Sequence, residues 1–86
     1  MFFAEYTSAL SSLKPFIVST LIQSEITVNA ENNYHYLLSD VNGNSVARGS
    51  GPAGFNKLDM SSMPGGMYLL QLISNNQKQT ERIIKQ

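Results

Sequence analysis

Apolar residues recur along this chain with two different periods. Over residues 1–13, Phe2, Phe3, Tyr6, Leu10 and Leu13 fall three and four apart, the spacing of a helical stripe, with Ser8, Ser11 and Ser12 on other faces. Pro15 disfavours helix at Lys14 and marks the end of that segment. Residues 1–15 read as an N-terminal linker or a short helical segment. As an amphipathic stretch, the segment would cover an open edge of the domain or pair with another copy.

From Phe16 onward the period is two. Phe16–Ile22 is β-branched and apolar and reads as one strand. Glu25–Ala30 alternates, with Ile26, Val28 and Ala30 on one face; Tyr34–Ser39 follows the turn Glu31-Asn32-Asn33, with Tyr34, Tyr36 and Leu38 inward. Asn42-Gly43 tolerates the positive φ of a tight hairpin, and its return strand is Ser45–Arg48. Gly49–Gly54 reads as a flexible connection with three glycines, and Phe55–Met60 alternates again. Ser61–Gly66 is a turn with room for one short helical turn after Asp59. Met67–Ile73, apolar on both faces, is expected to be a central strand. After Asn75-Asn76, Gln79–Lys85 forms the last strand. About seven short strands at this spacing predict an all-β, immunoglobulin-like antiparallel β-sandwich over residues 16–86.

Composition narrows the chemistry. A chain of 86 residues has room for one modest core, burying about 60–65 % of its unfolded surface. Six cationic and six acidic residues give zero net charge, so there is no basic excess to neutralise a phosphate backbone, and nucleic acid is not an expected partner. The absence of cysteine removes disulfides, thiolate metal sites and thiol catalysis. No run approaches the ~20 apolar residues of a membrane-crossing helix. The start is not expected to be a signal peptide: it lacks a positive n-region, and Glu5 interrupts the apolar stretch.

No catalytic, cofactor or metal site is expected. His35, the one histidine, lies between two tyrosines in a strand and has no second ligand nearby. Asp40 and Asp59 each precede turn residues, so their carboxylates are read as acceptors for turn amides. Alternating oxygens over Asp40–Asn44 suit calcium only weakly, because no later glutamate follows. Ser50–Gly54 lacks the lysine and helix of a phosphate loop. The distinctive spot is Gly66-Met67-Tyr68. In immunoglobulin-like sandwiches a tyrosine at the start of such a strand returns its hydroxyl to upstream backbone, closing a corner.

Four motifs stand in order: Asp40-Val41-Asn42-Gly43; Leu58-Asp59-Met60-Ser61; Gly66-Met67-Tyr68; and Arg82-Ile83-Ile84-Lys85. The set, covering about Glu25 to Gln86, resembles the C-terminal sorting domain of type IX secretion cargo in Bacteroidetes. Val18–Leu21 stands where that family opens with tyrosine–proline–asparagine–proline. The resemblance implies a non-enzymatic sandwich that carries a cargo protein through periplasm and outer membrane to the cell surface or medium. Its implied partners are the secretion translocon and a sortase-like peptidase that removes the domain, with no small-molecule substrate. Gly66, Tyr68, Arg82, Ile83, Ile84 and Lys85 are the implied signal positions, read on a terminal edge strand by strand addition; Asp40, Asn42, Gly43 and Asp59 shape turns. The alternative is a stand-alone structural or interaction domain that self-associates through residues 1–14.

Overall fold

β-Branched and aromatic residues alternating with polar ones build short strands here, and the turns between them are set by Asn, Asp and Gly. The computed structural model describes residues 14–86; the segment expected to form a linker or short helix, and the self-association assigned to it, lie outside them except for Lys14 and Pro15. Eight strands follow in order: β1 (Phe16–Val18), β2 (Leu21–Ile22), β3 (Glu25–Ala30), β4 (Tyr34–Asp40), β5 (Ser45–Gly51), β6 (Gly54–Asp59), β7 (Gly66–Ser74) and β8 (Gln77–Lys85). They form a three-stranded sheet, β1-β3-β6, and a five-stranded sheet, β2-β8-β7-β4-β5. The described chain is thus an all-β sandwich with no helix.

The count is eight rather than seven because the first expected strand is two. Phe16–Val18 pairs antiparallel with β3, whereas Leu21–Ile22 pairs parallel with the end of β8. The chain changes sheet at Ser19-Thr20. Ser19 makes this possible by trading its backbone N–H to the Thr27 carbonyl (3.1 Å) and accepting the Thr27 N–H on its hydroxyl (2.9 Å). Residues on the two sides of the bend thereby contribute Phe16 and Ile22 to one core from opposite layers.

That core is built from Ile26, Val28 and Ala30 of the small sheet facing Tyr34, Leu38, Leu70, Leu72 and Ile83 of the large one. β7 lies between β8 and β4, the central place its apolar pattern requires. β5 extends to Gly51, so Gly49 and Gly51 are strand residues and not the flexible connection expected. They pair with Tyr36 and Tyr34, whose rings lie across them. A Cβ on Gly51 would sit 2.6 Å from the Tyr34 hydroxyl oxygen. Glycine in a strand is poor by itself, but here the aromatic neighbour occupies the vacant side-chain volume and restores the packing. Phe16 meets the Tyr34 ring edge-on at 5.4 Å between centroids.

The segment after Asp59 is a hydrogen-bonded turn, with Met63 N–H donating to the Met60 carbonyl (3.1 Å), and not a helical turn. Asn75 and Asn76 both have positive φ (49° and 66°), giving a two-residue hairpin of the kind that matches strand twist.

Candidate functional site

The four sequence motifs are far apart in the chain, but antiparallel pairing brings them to one end of the sandwich. β4 ends at Asp40 opposite Tyr68, β7 begins at Gly66 opposite Lys85, and Met67, Tyr68 and Leu69 face Ile84, Ile83 and Arg82. Asp59 ends β6 opposite Glu25, and the next residue, Met60, donates its N–H to the Ser24 carbonyl (2.8 Å) beside β2.

The corner is built from glycine and tyrosine. Gly66 has φ of 147°, a conformation that side-chain-bearing residues rarely adopt. It turns the chain from Pro64 into β7. Two residues on, Tyr68 is buried and its hydroxyl donates to the Pro64 carbonyl at 2.5 Å. This is the corner bond expected from the sequence. Gly65 lies close to the chain end: a Cβ there would be 3.3 Å from the Lys85 carbonyl oxygen.

The turns use their aspartates as acceptors. Asp40 Oδ1 receives the N–H groups of Asn42 and Asn44, each at 3.0 Å, and Gly43, with φ of 84°, closes the loop by donating to the Asp40 carbonyl (3.1 Å). Asp59 Oδ1 receives the Ser61 N–H at 2.9 Å. That bond, with a second from the Ser61 hydroxyl, holds the Asp59 carboxyl below its ordinary value and outweighs a small opposing effect of burial. Neither carboxylate belongs to a cluster of metal-ligating side chains among the described residues.

The last strand divides its residues between two roles. Ile83 is wholly buried in the core, while Arg82 and Ile84 point outward and Lys85 is half-buried. β8 is not the free edge strand expected. Around Ile84 and Lys85 it is paired on both sides, by β7 and by β2, and the Ile84 and Gln86 N–H groups donate to the Thr20 and Ile22 carbonyls (2.7 and 2.9 Å). The physical reason is the sheet change at Ser19-Thr20, which releases Leu21–Ile22 to cover that edge. Strand addition at this stretch would have to displace β2.

Sequence reasoning also missed how the upstream half of β8 is closed. Gln79 points inward from β8 and spans the gap between sheets to β1. It accepts the Phe16 N–H on Oε1 (3.2 Å) and donates Nε2 to the Phe16 carbonyl (3.0 Å). One side-chain amide thus stands in for a neighbouring strand. The same Nε2 reaches Glu81 (2.7 Å), which also lies 3.9 Å from Lys14. The only sequence signal was that the inward register of β8 carries polar residues, Gln79 and Glu81, before it reaches Ile83.

Compared with known families, residues 22–86 match the model described as the secretion system C-terminal sorting domain. The chain belongs to this family. The match begins at Ile22, the last residue of β2, and runs through the corner to Gln86, so it includes all four motifs. No curated protein matches the chain. The sorting domain is a signal for type IX secretion recognised by the secretion machinery, and its family is not a catalytic one. A cargo protein bearing it is exported to the cell surface or secreted. His35 is exposed on the outer face of β4 and belongs to no cluster of metal-ligating side chains among the described residues.

Proposed function

We propose that this domain works as a non-catalytic address: it directs an attached cargo polypeptide through the type IX translocon to the cell surface, where a sortase-like peptidase removes it. The observation that carries this reading is the convergence of Gly66, Tyr68, Arg82, Ile83, Ile84 and Lys85 at one end of a folded sandwich within the span matched by the family. In this reading the residues divide the work. Gly66, Tyr68 and Ile83 fix the shape of the end, while Arg82, Ile84 and Lys85 are presented to a reader. Asp40, Asn42, Gly43 and Asp59 hold the adjoining turns. Recognition is therefore of a folded surface, since Tyr68 and Ile83 of the signal are inside the core.

The experiment fuses the full chain behind a signal-peptide-bearing fluorescent reporter in a type IX-competent cell. The reporter is expected at the cell surface or in the medium, freed of the domain. A fusion that is intact and folded yet stays in the periplasm refutes the proposal.

A further inference from the structure

The chain has no net charge, but its charges are sorted between the two outer faces. On the large sheet the outward positions carry Arg48, Lys78 and Arg82, and no carboxylate. Among the described residues the carboxylates lie elsewhere, Glu31 in the turn between β3 and β4. Asp40 is in its turn, Glu81 faces inward toward Gln79, and Glu25 and Asp59 are on the outside of the small sheet, where Lys57 sits 3.8 Å from Glu25. None of Arg48, Lys78 and Arg82 forms an ion pair among the described residues.

The same outer face also exposes aliphatic side chains, and while the small sheet exposes Ile17 and Phe55, only the large one mixes its aliphatics with unpaired cations. Leu21 is 63 % exposed, and Met67, Leu69, Ile73 and Ile84 are 39–44 % exposed. Register arranges them: Leu21, Ile84 and Met67 form one row across β2, β8 and β7. Each cation is the direct cross-strand neighbour of an aliphatic residue, Arg82 of Leu69, Lys78 of Ile73 and Arg48 of Leu37. Exposed aliphatics of this number on a neutral domain mark an interaction surface, and uncompensated cations among them select the sign of what docks there.

We infer that the outer face of the large sheet is the docking surface for a protein of the secretion machinery that presents carboxylates around an apolar patch. The inference rests on the sorting role proposed above and names the face by which that role is exercised. It follows from charge complementarity, and from continuity with the signal end, since Arg82 and Ile84 belong to both. A membrane is the poorer fit. Three cations near an anionic surface supply only about 1 kcal/mol each, and aliphatics laid in rows on a pleated sheet match a protein surface better than they penetrate lipid.

The test compares the wild-type reporter fusion with Arg48→Glu/Lys78→Glu/Arg82→Glu and with Lys57→Glu on the opposite face. Reversing the three charges is expected to cut surface reporter at least about tenfold, while Lys57→Glu exports normally. Equal export by the triple-Glu variant overturns the inference and leaves the sorting role standing. A wild-type fusion held in the periplasm overturns both. Should the triple-Glu chain not fold, as read by its thermal melt, Leu69→Gln/Ile73→Gln with all charges intact serves instead, with the same expectation and the same overturning result. Two further measurements use the purified chain. Sedimentation showing a wild-type dimer that the triple variant abolishes would assign the face to a second copy. Salt-sensitive binding of the wild type to phosphatidylglycerol vesicles, lost in the triple variant, would assign it to lipid. Either outcome overturns the choice of a machinery protein.

Discussion

Tyr68 and Tyr34 are both buried in the sandwich, yet removing their hydroxyls is expected to have opposite effects. The Tyr68 hydroxyl donates to the Pro64 carbonyl at 2.5 Å. In Tyr68→Phe the ring remains, so the apolar contacts of the corner persist and only the bond is lost. Pro64 is exposed and its freed carbonyl can turn to water, so the loss stays near the net value of one hydrogen bond, about 1 kcal/mol. For a domain of this size that lowers the melting temperature by about 4–8 °C. The Tyr34 hydroxyl is buried and has no hydrogen-bond partner among the described residues. A buried hydroxyl without a partner is a standing cost of about 1–3 kcal/mol, so Tyr34→Phe is expected to leave stability unchanged or raise it. Urea unfolding of both variants, followed by circular dichroism with the slope checked for constancy, measures the contrast. Equal losses from the two substitutions, or a Tyr68→Phe variant as stable as wild type, would refute the assignment of the corner bond. The contrast extends to function: Tyr68→Phe should still export a fused reporter at temperatures where the corner is folded, and lose export first on warming.

Gly51→Ala is expected to cost about 1–3 kcal/mol, because the added methyl would lie 2.6 Å from the oxygen and 2.7 Å from Cζ of a Tyr34 ring already held against Phe16; a urea midpoint equal to wild type would count against it. Gln79→Ala removes both bonds to the Phe16 backbone, for a loss of about 2 kcal/mol and faster hydrogen exchange at the Phe16 amide, while the Leu72 amide in the sheet interior stays protected. On the acid side, the lowered Asp59 carboxyl binds its proton less readily folded than unfolded. Its contribution is therefore complete above the ordinary value of 3.8 and is lost as pH falls below it; Asp59→Asn should flatten that limb of the stability–pH curve. On the alkaline side, burial, aided by Tyr36, raises the Tyr34 hydroxyl above its ordinary value of 10.0. The unfolded chain ionises first, so stability declines as pH rises past 10.0, and Tyr34→Phe should remove this part of the decline.

Much of this molecule is legible in the order of its residues. Strict alternation at Ile26, Val28 and Ala30 specifies which face is buried, because a strand that slips by one residue turns every side chain to the wrong side. The turns at Asp40, Asp59 and Asn75-Asn76 announce themselves for a local reason: short polar side chains and positive φ are satisfied within a few residues. The Gly66–Tyr68 corner is equally local, its bond spanning four residues. The ordered motifs also named the family, since spacing along the chain is what a family pattern records.

The remainder was decided by neighbours distant in sequence. Nothing in Phe16–Ile22 marks a change of sheet at Ser19-Thr20, because both halves are apolar and β-branched; only β3 on one side and β8 on the other separate them. The same event covers the end of the terminal strand, at Ile84 and Lys85, that would otherwise be an open edge. Gln79 is polar at an inward position, and its reason lies in the Phe16 backbone 63 residues away. Gly49 and Gly51 look like a linker until Tyr36 and Tyr34 are laid over them. The sorting of a neutral set of charges onto one basic, apolar outer face is likewise invisible in the sequence, since register between strands, and not order along the chain, sets Arg82 beside Leu69 and Lys78 beside Ile73. Local chemistry determined the strands and turns; long-range pairing determined which edges stayed open and what the surface presents.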